Sequence, residues 1–99
     1  MSDAKVTLEA FRKAAAEDEQ ALRATIGESI VRFREMRGWP QTELARRASI
    51  VQGQLSRYEH ATRAVSLLTL ARVARALSTP AWTLLVPVRG EFGMAPWNV

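Results

Sequence analysis

Apolar residues recur along this chain at three- and four-residue intervals, the period of helices with one buried face, and Gly and Pro separate the periodic segments. Leu8, Phe11, Ala15 and Leu22 mark a first stripe, interrupted by Asp18. A helix capped by Thr7 is predicted there, only partly core-facing and able to run on into the next. Ile26, Ile30, Phe33 and Met36 mark a second stripe, which Gly38 should end as the left-handed residue beyond a helix. After Trp39 and Pro40 a short helix from Gln41 to Ala48 offers Leu44, Ala45 and Ala48 to a core. The three residues 49–51 leave room only for a tight turn. A further helix from Gln52 to His60 buries Leu55 and Tyr58 and leaves Gln52, Ser56 and Arg57 outside. Ser66 is a good N-cap for the most amphipathic segment, with Leu67, Leu70, Val73, Ala74 and Leu77 on one face.

The C-terminal part is open to two readings. Thr79 as cap with Pro80 as first helical residue predicts a short helix through Leu85, whereas Trp82, Leu84, Val86 and Val88 alternate as in a half-buried strand. The helix is preferred. Trp39 and Trp82 are taken as core. Phe92, Met94 and Trp97 sit among Gly and Pro, an irregular apolar tail suited either to packing within the chain or to a partner surface. With 99 residues there is room for one domain with one modest core. The expected architecture is all-α: an N-terminal helical extension over 1–22, a compact helical bundle over 23–86, and a tail over 87–99.

Charge sharpens this picture. The chain carries 14 Lys and Arg against 10 Asp and Glu, with a pI near 10.7, and the excess is unevenly placed. Up to Leu22 acids outnumber bases. From Arg23 to Leu77 ten arginines face four glutamates, with no lysine. Arginine's planar fork suits bidentate contact with phosphate and guanine edges. The pattern fits either a polyanion-facing surface or a solvated surface laced with ion pairs.

The remaining chemistry is mostly exclusion. Without cysteine there is no disulfide and no thiolate nucleophile. The sole histidine, His60, stands at a helix end, where capping or solvent exposure is expected rather than metal binding. No Gly-rich phosphate cradle or carboxylate cluster suggests an enzyme or a cofactor. The polar start and the absence of a long apolar run predict a cytoplasmic protein with no membrane partner.

Two short helices joined by three residues must cross steeply, and the crossing dictates residue sizes. Counting from Gln41, the fifth position is Ala45, where a larger side chain would force the helices apart; the tenth and fifteenth, Ile50 and Leu55, are apolar plugs. That spacing belongs to a helix-turn-helix, whose second helix fits the major groove. The stretches Ile26-Gly27-Glu28, Gln41-Thr42-Glu43-Leu44-Ala45-Arg46-Arg47-Ala48, Leu55-Ser56-Arg57-Tyr58-Glu59 and Ser66-Leu67 with residues 70–77 resemble the XRE family, the helix-turn-helix domains of phage lambda repressor and Cro. The resemblance covers about 25–85 and implies a five-helix bundle, here with an additional N-terminal helix, that binds double-stranded operator DNA, usually as a homodimer. It implies that Gln41 donates to a phosphate and braces the recognition helix, and that Gln52 and Gly53 approach base edges with Arg57 one turn further on. Ser56 and Arg63 would serve phosphates, and Gln54 completes the DNA-binding set. Arg34 and Glu59 match a structural ion pair of the family. Four positions depart from its pattern: Pro40 and Val51 replace hydroxyl caps, and Ser49 and Ala61 replace glycines.

The expected function is that of a sequence-specific transcriptional regulator, a dimeric repressor whose dimer contact lies in the acidic first helix or the apolar tail. A second reading resembles HigA-type antitoxins, with the acidic extension facing a basic RNA-cleaving toxin and the 82–88 stretch pairing as a strand. A third is a protein-interaction bundle that does not bind DNA.

Overall fold

The computed structural model describes residues 2–87, with side chains from residue 7 onward. The residues from Val88 on, including Phe92, Met94 and Trp97, lie outside the described residues, so the tail's expected packing does too. Within the described part the fold is all-α: α1 (Ser2–Met36), α2 (Gln41–Ala48), α3 (Gln52–Glu59), α4 (Leu67–Ala76) and a terminal 3-10 helix (Ala81–Leu85). The five-helix bundle with a separate extra helix is thereby corrected, because the extension and the first bundle helix are one rod of 35 residues. Thr7 lies inside that rod rather than at its start. Nothing between Leu22 and Ile26 breaks a helix: Arg23-Ala24-Thr25 has no proline or glycine.

The core begins only at Ile26. Ile26 and Ile30 from α1, Leu44, Ala45 and Ala48 from α2, Leu55 and Tyr58 from α3, Leu70, Val73, Ala74 and Leu77 at the end of α4, and Leu84 from the 3-10 helix form one buried cluster, with Phe33, Trp39 and Ile50 packed at its edge. Ser29 is buried among them and donates its hydroxyl to the Val86 carbonyl at 3.4 Å. Three expected core residues are outside it. Met36 (68% exposed) and Leu67 (83%) occupy helix ends that reach past their neighbours, and Trp82 (63%) lies on the free side of the 3-10 helix. The terminal element is a helix through Leu85, as preferred over a strand, though of the 3-10 type and starting one residue later. Pro40, Val51 and Pro80 each precede a helix in extended conformation without a side-chain cap, so Pro80 flanks its helix rather than opening it. Ser66 caps as expected, its Oγ accepting from the Thr69 amide at 3.1 Å.

All four α-helices end alike. A residue with φ near +60° follows the helix, its amide and the next one bonding back to the last turn: Gly38 to Glu35 and Trp39 to Arg34, Ser49 to Arg46 and Ile50 to Ala45, Ala61 to Tyr58 and Thr62 to Arg57, Ser78 to Arg75 and Thr79 to Ala74. Only the first of these residues is glycine. The left-handed conformation costs an L-residue about 1–2 kcal/mol, so Ala61→Gly is expected to stabilise the fold by about 1 kcal/mol. Thermal unfolding checks this as a rise of roughly 4–8 °C for a domain of this size; an unchanged or lower midpoint would contradict it.

Candidate nucleic-acid interface

The turn between α2 and α3 is tight because Ser49 reverses the chain at once and Ile50 folds back onto the Ala45 carbonyl at 3.0 Å. Ala45 is 3% exposed and Leu55 fully buried, as a close crossing requires. Leu55 and Tyr58 anchor α3 by one face. On a 3.6-residue helix Gln52, Gly53, Ser56 and Arg57 then share the opposite face; Gln52, Gly53 and Arg57 are exposed, Ser56 and Gln54 half-buried. A side chain added at Gly53 would meet nothing within 4 Å, so the glycine leaves the start of α3 open for close approach.

A chain of hydrogen bonds fixes this end of α3. Arg34, on α1, grips the Glu59 carboxylate with both Nε (2.8 Å) and Nη2 (3.1 Å) and donates its Nη1 to the Trp39 carbonyl at 2.8 Å. The Glu59 Oε1 also accepts from the Gln41 amide at 2.8 Å. The Gln41 Oε1 in turn accepts from Gln52 at 3.4 Å. Gln41 of α2 is thereby tied to both ends of α3, and the Arg34–Glu59 pair is the root of the chain. Arg63 is exposed in the loop after α3 and makes no hydrogen bond to this set among the described residues. His60 is exposed at the end of α3, its Nδ1 2.8 Å from the Ser56 carbonyl.

Three features were not anticipated from sequence. Trp39 is half-buried and carries the Arg47 guanidinium 4.2 Å above its ring, with Arg37 at 5.8 Å, which makes it a cation platform at the edge of the core. Val51 stands 68% exposed at the mouth of α3, where the sequence suggested only a missing cap. Arg46, Arg47, Arg72 and Arg75 line a cleft of about 700 Å³ between α2 and α4. Glu43 receives hydrogen bonds from Arg46 and Arg47, which hold its carboxyl below the usual carboxylate range and raise Arg46. Among the described residues no group of His, Asp and Glu could hold a metal ion, and no helix is long and apolar enough to cross a membrane.

A short helix standing proud of a bundle, polar and open on its outer face, buried on its inner face and crossed closely by the helix before it, defines a helix-turn-helix domain. Residues 30–81, more than half of the chain, match the helix-turn-helix family HTH_3, and the chain belongs to that family, the XRE type of DNA-binding transcription regulators. It is 36% identical over 70 residues, 71% of its length, to a Neisseria hypothetical transcription factor from Neisseria meningitidis; the match spans 66% of that relative. Among solved structures it resembles the hypothetical transcription factor NHTF from Neisseria (TM-score 0.70, 32% identity, 77% of this chain and 87% of that one). It also resembles the restriction-modification controller protein C.AhdI from Aeromonas hydrophila (0.63, 25%, 65% and 97%) and the clp gene regulator ClgR from C. glutamicum (0.61, 33%, 65% and 83%).

Proposed function

We propose that this regulator is a repressor that acts as a homodimer on cytoplasmic operator DNA, laying α3 in the major groove. The observation that carries the proposal is the braced, open end of α3: Gln52 is held by Gln41, Gln41 by Glu59 and Glu59 by Arg34, so a reading residue is positioned before DNA arrives. Preorganisation of this kind lowers the ordering cost of binding. Gln52 and Arg57 read base edges, glutamine pairing with adenine and arginine with guanine. Gly53 admits the duplex backbone, Val51 offers an apolar contact for a thymine methyl, and Gln54 stands at the margin of the face. Gln41 keeps a second amide hydrogen for a phosphate, which Ser56 and Arg63 also serve. Two copies are needed because a single module buries too little surface for tight, selective binding.

Arg57→Ala is the direct test. Arg57 is exposed and forms no ion pair among the described residues, so its loss should leave stability within about 0.5 kcal/mol. Discrimination between the operator and single-base variants should fall by about 1–3 kcal/mol at one guanine position. Fluorescence titrations of duplexes at several salt concentrations measure both this and the phosphate component, since affinity falls steeply with salt when phosphates are contacted. Unchanged discrimination would refute the role of Arg57, and salt-independent binding would refute the interface.

The antitoxin reading relied in part on strand pairing along 82–88. Residues 81–85 form a 3-10 helix, so that support is gone, and the acidic N-terminal arm alone does not distinguish a toxin from a second copy of the chain.

A further inference from the structure

We infer that residues 7–22 of α1 form the dimer contact by pairing antiparallel with the same stretch of a second copy of this chain. The inference rests on the dimeric reading above and gives it a place. Every side chain from 7 to 22 is exposed, and near its end the stretch touches the bundle where Gln20 donates to the Ala61 carbonyl at 3.5 Å. Most helical stability in proteins comes from packing of an apolar face, which this part of α1 lacks among the described residues. Leu8 (49% exposed), Phe11 (67%) and Leu22 (46%) fall with Ala15 and Asp18 on one line at alternating intervals of three and four, the spacing of a coiled-coil seam. Among the described residues nothing covers that line.

The charges choose both the occupant and its direction. Arg12 and Lys13 precede the middle of the arm, and Glu17, Asp18 and Glu19 follow it. None of the five is in an ion pair among the described residues. Parallel pairing in register would set each group against its like. Antiparallel pairing, with Phe11 level with the partner subunit's Leu22, sets the basic pair alongside the partner's acidic triplet, and by symmetry the reverse. The small Ala15 then lies across from the partner's Asp18, leaving that carboxylate room to turn toward arginine. With a rise of 1.5 Å per residue the two copies of Ile26, where the bundles begin, stand about 30 Å apart along the pair. That is the scale of the roughly 34 Å between half-sites one turn of DNA apart.

Sedimentation equilibrium without DNA tests the inference, so that it stands apart from the DNA reading. The wild-type protein at tens of micromolar is expected at twice its 11.0 kDa chain mass. Leu22→Glu is expected at the chain mass, with cooperative unfolding of the bundle retained. Because the chain has no cysteine, Ala14→Cys and Ala21→Cys can report direction: mixed and oxidised, they should form disulfides between unlike variants in preference to like ones. A monomeric wild type would overturn the inference together with the dimeric reading. A dimer that survives Leu22→Glu, or disulfides chiefly between like variants, would overturn the inference alone.

Discussion

Gly27→Ala is expected to destabilise this protein by about 3 kcal/mol, the upper part of the range for overpacking a tight core. The reason is a backbone approach. A methyl group at residue 27 would lie 2.7 Å from both the Tyr58 and the Glu59 carbonyl oxygens, and these belong to the last turn of α3, not to a side chain that could swing away. Either α1 backs off from α3, opening the packing of Ile26 and Ile30 beside Tyr58, or α3 shifts and carries its outer face with it. Typical domains have only about 5–15 kcal/mol of stability in total. Urea unfolding of the variant should show a clearly lower midpoint at similar slope; a midpoint equal to wild type would contradict the close contact between these helices.

The second large effect is expected from Glu59→Ala. The Glu59 side chain is 3% exposed and that of Arg34 14%, so removing the carboxylate strands a largely buried guanidinium, a loss of about 3–5 kcal/mol. The Trp39 carbonyl remains to Arg34 as one partner, which favours the lower end. Unlike Gly27→Ala, this substitution also takes the Glu59 acceptor from Gln41, leaving the 3.4 Å bond from Gln52 as its one remaining hydrogen bond to α3 among the described residues. Operator affinity at a temperature where the variant is still folded should therefore drop, and Glu59→Gln, which keeps an oxygen facing Arg34 and Gln41, should recover part of both losses. Thermal unfolding and duplex titration on the two variants check this. Stability loss with wild-type affinity in the folded fraction would show that the brace does not serve binding.

The parts of this molecule that local rules dictate were legible in the sequence. Ser66 caps α4, Gly38 ends α1, and the Ala45, Ile50 and Leu55 spacing located the crossing of α2 and α3 because each depends on neighbours a few residues away. Arg34, Gln41 and Glu59 were readable through the family resemblance rather than through spacing. What escaped was what depends on the extent of neighbouring elements. Periodicity tells which side of a helix is apolar but not how far the helix facing it reaches, so Met36 and Leu67 continue an apolar stripe and are nevertheless exposed. Trp82 reads as core in the sequence, yet in the 3-10 helix Leu84 takes the buried place. Ser49 and Ala61 stand where the family pattern has glycine; the structure keeps the left-handed turn at both and strains the residue instead.

The placement of α3 in the major groove is tested most directly by methylation interference on an operator selected from random duplexes. Guanine N7 faces the major groove, so methyl groups there should block binding at two clusters about one turn apart, while a minor-groove ligand should leave binding intact. Binding indifferent to N7 methylation but abolished by the minor-groove ligand would contradict the account.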